Sequence, residues 1–108
     1  MAEAIGAETV FAEIGEALAA QGGEVTRAKM MGMPCLKAHG KMFAGLWREA
    51  MTFKLAGEEH RRALDLPGAT LFDPSEAGRP MKAWVQVPFA QREAWPALAE
   101  AALRTLTG

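Results

Sequence analysis

The sequence predicts an α+β fold: a two-layer sandwich in which a five-stranded, meander-type antiparallel sheet is covered on one face by an N-terminal and a C-terminal helix. Three observations predict it. Apolar residues recur at helical spacing near both ends of the 108-residue chain. The region between them alternates apolar and polar residues, and short turn-forming segments divide it, which is typical of adjacent antiparallel strands.

Length and composition predict one globular domain over residues 1–108. Half of the residues are hydrophobic and 23% are charged, and no apolar run approaches the roughly 18 residues of a membrane helix. The first residues include no Lys or Arg and no apolar core of signal-peptide length, so export is not expected. Cys35 is the only cysteine, which agrees with a cytoplasmic protein.

Two long amphipathic helices are predicted. The first covers residues 9–21, with Thr9 as N-cap and the glycine pair at 22–23 as its stop. The second covers residues 89–106, with Pro96 in its first turn. Their apolar stripes consist of Val10, Phe11, Ile14 and Leu18 in the first, and of Trp95, Leu98, Ala99, Ala102, Leu103 and Leu106 in the second.

Four consecutive strands are predicted between Glu24 and Leu55, because the period is two throughout. The His39-Gly40-Lys41 and Arg48-Glu49 segments form turns between them, and glycine at the first supplies the positive φ of a tight hairpin. Residues 57–65 form a short polar helix and residues 73–80 a loop. A fifth strand, residues 81–87, completes the sheet and ends at Pro88.

Alternation divides the strand residues into two faces. The face expected beneath the helices carries Ala28, Met30, Leu36, Met42, Leu46, Phe53 and Val85. The face expected to point outward carries the basic residues Arg27, Lys29, Lys37, Lys41, Lys54 and Lys82, interleaved with Phe43, Trp47 and Trp84.

The outward set has two interpretations. Basic groups among aromatic rings suit single-stranded nucleic acid, since the cations meet phosphates and the rings stack on bases. Alternatively, the loop at 73–80 or a second subunit covers Trp47 and Trp84, while the lysines keep the sheet soluble. The second interpretation is favoured, because large apolar side chains outside a core more often mark protein contacts.

No catalytic, cofactor-binding or metal-binding residues are expected. Cys35 and His39 lie four strand positions apart, about 13 Å, which is too far for proton transfer. Neither His39 nor His60 has the neighbouring ligands of a metal site, and no glycine-rich phosphate loop is present. We therefore interpret Cys35 as structural and expect no enzymatic activity.

Several short segments resemble the TfoX N-terminal domain family and its YjbR/MmcQ-like relatives. They are Lys29-Met-Met-Gly, His39-Gly-Lys-Met-Phe-Ala-Gly, Thr52-Phe-Lys-Leu, Gly78-Arg-Pro-Met-Lys-Ala-Trp and Val87-Pro88. The similarity spans residues 9–104 and implies the same two-layer fold. It also implies a regulator, since full-length TfoX-like proteins regulate competence and YjbR-like proteins are described as putative DNA-binding proteins, both without established catalytic residues. Because 108 residues have no room for the regulators' C-terminal helical domain, competence regulation itself is not expected.

The combined expectation is a small, bacterial, cytoplasmic, non-enzymatic protein that acts through protein contacts, with a homodimer formed by the sheet face around Trp47 and Trp84. Neither a cofactor nor a membrane is expected as a partner. The alternative is a regulator that binds nucleic acid through the same face, with Lys29, Lys37, Lys41, Lys54 and Lys82 as the contacts.

Overall fold

The computed structural model describes residues 6–21, 24–30, 32–73, 78 and 81–107, leaving aside the side chains of Met30 and Thr107. Its helices are α1 (Ala7–Ala20), α2 (Gly57–Leu64) and α3 (Trp95–Thr107), and a 3-10 segment, Phe89–Ala94, precedes α3. Its strands are β1 (Val25–Met30), β2 (Met33–Ala38), β3 (Lys41–Trp47), β4 (Ala50–Lys54), β5 (Thr70–Phe72) and β6 (Met81–Pro88). Among the described residues, no helix has both the length and the apolar character needed to cross a bilayer.

The six strands form one antiparallel sheet in the order β1-β2-β3-β4-β6-β5. The predicted fold class is therefore confirmed, but the expected strand count of five is one too low. The additional strand, β5, is only three residues long, and it pairs with β6 at the edge of the sheet. A strand of this length shows too little alternation to be recognised between the turn formers on either side.

The turns and helix limits agree with those predicted, except at the start of α1 and in the segment before α3. His39 and Gly40 have φ of 54° and 77°, so the predicted tight hairpin is confirmed. Helix α1 begins two residues before Thr9, since Gly6 is its N-cap and the Gly6 carbonyl accepts the Thr9 and Val10 N–H groups. The predicted Thr9 cap is therefore wrong. The predicted stop at 22–23 lies outside the described residues.

The C-terminal segment is divided rather than continuous. Gln91 leaves the helical region with φ of −105° and ψ of 25°, so a 3-10 segment precedes α3 where one helix over residues 89–106 was expected. Pro96 is the second residue of α3, as predicted for its first turn. The ring of Phe89 lies 5.8 Å from the ring of Trp95, edge to face, and packs against the core.

The core lies between one face of the sheet and the helices. Leu36, Leu46, Phe53 and Val85 are buried there, as predicted. Trp95 anchors α3 to β6: its ring is fully buried, and its Nε1–H donates a hydrogen bond of 3.2 Å to the Val87 carbonyl. Burial of a tryptophan of this size with its polar atom satisfied contributes strongly to stability.

A β-bulge overturns the predicted faces of residues 41–43. Leu36 pairs with Ala44 but Lys37 pairs with Met42, so Phe43 is the extra residue of β3. An extra residue shifts the alternation by one position. Phe43, expected outward, is consequently fully buried in the core beside Ala44. Met42, expected inward, shares the outer side with Lys37.

The faces of strand β1 are also the reverse of those predicted. Arg27 pairs with Leu36 and Lys29 with Pro34, on the helix side, whereas Ala28 pairs with Cys35 on the outer side. Met30 was expected in the core, but its side chain is not described. The reversal is possible because β1 is an edge strand, where a long side chain packs its aliphatic stem inward and keeps its charge in water. The Arg27 stem reaches Gly15 of α1 in this way.

Candidate functional site on the outer face of the sheet

A row of mostly small residues crosses the side of the sheet that faces away from the helices. Cross-strand partners share a face, and the pairing places one residue of every strand in this row. The row consists of Ala28, Cys35, Gly45, Thr52, Gln86 and Thr70. We call this set the small-residue row. It leaves a shallow floor on which larger side chains of the same face can lie.

Large apolar side chains cover this floor. Trp47 of β3 and Phe72 of β5 meet edge to face with ring centroids 5.6 Å apart, although β4 and β6 lie between their strands. The two rings therefore extend over the sheet, above the small-residue row. Met33 covers the row from the β2 side, because its Cε lies where a Cβ at Gly45 would be.

We define the outer patch as Met33, Trp47, Phe72, Met81 and Trp84. Phe72 and Trp84 are almost fully buried, with 4% and 6% of their surface exposed, and Trp47 is half-buried. Met81, which pairs with Phe72, is 42% exposed and is the one exposed large hydrophobic residue in the described part of the chain. Trp47 and Phe72 thus cover part of each other's ring surface, while Met81 remains exposed.

Thr52 lies at the centre of the covered row. It is fully buried, and its hydroxyl donates to the Gly45 carbonyl at 3.3 Å. Sequence reasoning did not single out Thr52, Phe72 or Met81 as site residues. Phe72 and Met81 flank the predicted loop, and only the pairing of β5 with β6 brings these two residues together.

The predicted basic residues do not all lie on one face of the sheet. Lys37 and Lys54 lie on the outer face, since Lys54 pairs with Trp84 and Lys37 with Met42. Lys29 and Lys41 pair with Pro34 and Ala38, so they lie on the helix side. Lys82 is exposed, and its carbonyl oxygen lies 2.7 Å from Nε2 of His60 on α2. The structure therefore places Lys37, Lys54, Trp47 and Trp84 of the predicted set on the outer face.

Arg48 adds a cation that the sequence analysis did not select. Its guanidinium carbon lies 5.2 Å from the centroid of the Trp47 ring, within cation–π range. The residue lies in the predicted β3–β4 turn with a φ of 57°. The position of Arg48 directly after Trp47 in the sequence could have identified it, but the orientation of its guanidinium depends on this backbone conformation.

Cys35 is a buried cysteine of β2 that pairs with Ala28 of β1. It is buried within the small-residue row, and this burial raises the pKa of its thiol, while the positive charge of Lys37 opposes the shift. A raised pKa keeps the sulfur protonated near neutral pH, whereas a nucleophilic cysteine requires the thiolate. Over the described ranges, no three His, Cys, Asp or Glu side chains are grouped closely enough to hold a metal ion.

Comparison with known proteins identifies a family to which the chain is similar. A family model for the TfoX N-terminal domain matches residues 16–106 of the chain. The search of curated proteins and the search of solved structures returned no match.

Proposed function

The chain belongs to the TfoX N-terminal domain family, and from this premise we propose that it is a non-catalytic, cytoplasmic protein-contact domain that associates with a second copy through the outer patch. The observation that carries the proposal is the position of Met81. It is an exposed large apolar side chain, and its cross-strand partner is Phe72, whose ring contacts Trp47.

The chemistry of the outer patch suits a protein surface. Trp, Phe and Met are enriched at the centres of protein interfaces, and methionine adapts its shape to a partner. Two copies related by a two-fold axis would bring the same patch of each together, so Met81 of one copy meets the aromatic residues of the other. Lys37 and Lys54 would then lie nearer the rim, where charge is tolerated.

The proposal of a non-catalytic role has support from the titratable groups. The Cys35 thiol is buried with a raised pKa, which disfavours nucleophilic chemistry. His60 contacts a main-chain carbonyl, and Nδ1 of His39 lies 3.7 Å from the Glu24 carboxylate at an exposed position. Neither pair includes a nucleophile that it could activate. A single buried thiol also suits the reducing cytoplasm.

We expect Met81→Glu to shift a dimer toward monomer, because it places a charge in the apolar contact. Sedimentation equilibrium of the full chain at several concentrations measures the effect. Ala97→Glu is the matched control, since it adds the same charge at an exposed position on α3 and should leave the dissociation constant unchanged. Trp84→Asp is less suitable, because a charge at this buried position would destabilise the monomer itself.

A wild-type chain that remains monomeric up to about 100 μM would contradict self-association, since a stable homodimer through an apolar patch forms well below that concentration. Equal loss of dimer in both charge variants would also contradict the proposed surface, because the effect would then follow net charge rather than position.

Nucleic-acid binding is the alternative function, and the presence of Lys37 and Lys54 on the same face of the sheet as Trp47 favours it. Two features weigh against it: Trp84 has little exposed ring surface for stacking, and Lys29 and Lys41 lie on the helix side. We expect a labelled single-stranded oligonucleotide to show no saturable binding at about 50 mM salt. Binding whose log K falls with log salt by about 0.7 per contact, and which weakens in Lys37→Glu but not in Lys41→Glu, would support the alternative.

A further inference from the structure

We propose that strand β1 is a docking edge for an extended acidic segment of a partner protein, which adds to the sheet as a seventh strand. This surface is separate from the outer patch, and it does not depend on the proposed self-association. Three observations carry it: the geometry of the edge, the two cations beside it that have no ion pair with the described residues, and the registers available to a second copy.

Strand β1 lies at the end of the sheet, and among the described residues it pairs with β2 alone. Its six residues pair with β2 without a register shift and include no proline. The Trp47–Ala50 pair flanks a two-residue turn and is therefore hydrogen-bonded. Alternation carried across β3 and β2 then places the hydrogen-bonded pairs of β1 with β2 at Met30, Ala28 and Thr26. The N–H and C=O groups of Val25, Arg27 and Lys29 consequently point away from the sheet, where another strand can pair with them.

The opposite edge is a poorer template. Strand β5 has only three residues, Thr70–Phe72, and its pairing with β6 includes a register shift between Leu71 and Phe72. A short, irregular edge disfavours strand addition. Of the two edges, β1 is the one that offers a long and regular row of main-chain groups.

The positive charges of Arg27 and Lys29 favour a negatively charged partner. Both are exposed and lie on the helix side of β1. Neither has an ion pair with any residue that the structure describes. They line a cleft of about 480 Å³ between α1 and β1, together with the apolar side chains of Phe11 and Leu46 and one carboxylate, Glu8. Two cations against one acid leave this edge complementary to added negative charge.

A second copy of the chain is disfavoured at this edge. In an antiparallel β1–β1 contact with two-fold symmetry, residues opposite each other must share a face. The two registers with the greatest overlap then place Arg27 opposite Arg27 of the second copy, or opposite its Lys29. Like charges directly opposite each other destabilise strand pairing. The occupant is therefore an extended segment with carboxylates at alternate positions, which meet Arg27 and Lys29.

The test uses a fluorescein-labelled peptide of about eight residues that alternates glutamate with valine, long enough to span β1. We expect saturable binding to the full chain by fluorescence anisotropy. The double variant Arg27→Glu/Lys29→Glu should lower the affinity at least about tenfold, since both charge pairs become repulsive. The matched control Lys41→Glu/Lys54→Glu removes the same charge elsewhere and should change affinity less than about twofold. Far-UV circular dichroism checks that each variant is folded.

A second peptide separates strand addition from charge attraction alone. It has the same sequence but carries N-methyl groups on alternate residues, which removes the main-chain donors that pair with β1. We expect its binding to be lost, and Met81→Glu, outside this edge, to leave binding of the first peptide unchanged. Equal binding of both peptides, binding of a peptide with lysine in place of glutamate, or no binding of any peptide at about 50 mM salt would overturn the proposal.

Discussion

Trp95→Ala should lower the free energy of unfolding by about 3–5 kcal/mol, the range for removing a fully buried aromatic side chain. The indole is completely enclosed between α3 and the sheet, and its Nε1–H is bonded to the Val87 carbonyl. The substitution therefore leaves both a cavity and a buried acceptor without its donor. Small domains have only about 5–15 kcal/mol of stability, so this loss is a large fraction of the total. Urea denaturation followed by circular dichroism measures the change.

Two further substitutions serve as comparisons for the loss of stability in Trp95→Ala. Trp95→Phe keeps most of the ring and loses the hydrogen bond, so we expect a loss of about 1–3 kcal/mol. Leu98→Ala, on the same helix but only half-buried, should fall at the lower end of about 2–5 kcal/mol. If Trp95→Ala were no more destabilising than Leu98→Ala, the position of α3 on the sheet would be different from the one described here.

Phe43→Ala should cost about 3–5 kcal/mol, because Phe43 is fully buried on the helix side of β3. Strict alternation of β3 would instead place this ring on the outer face, where truncation costs less. The β-bulge opposite Leu36 and Lys37 is the reason for the difference. Thermal and urea denaturation of the purified variant measure the loss.

Phe43→Lys distinguishes the bulged register from strict alternation of β3 more sharply. A lysine on the outer face would join Lys37 and Lys54 and have little effect, whereas a lysine in the core would prevent stable folding, because its charge has no partner there. Met42→Ala is the neighbouring control, since Met42 is half-buried on the outer side, and its loss should be about 2 kcal/mol or less. A folded Phe43→Lys variant with near-wild-type stability would contradict the bulged register.

The sequence predicts only part of the candidate site. Trp47, Trp84, Lys37 and Lys54 were assigned to the outer face and lie there. Phe72 was missed because a three-residue strand has no recognisable period. Lys29 and Lys41 were assigned to the wrong side. For Lys41 the cause is the bulge, and for Lys29 the cause is that an edge strand accepts charge on either face.

The sequence alone determined the class of this fold, the positions of its long helices, the hairpin at His39-Gly40 and the family. These features follow from local periodicity and turn chemistry, which each short segment carries within itself. Only the tertiary structure decided which face of β1 lies beneath α1, that Phe43 belongs to the core, and that Trp47 meets Phe72 across two intervening strands. The physical reason is that period-two alternation defines two faces without saying which is buried, and that a single bulge exchanges them.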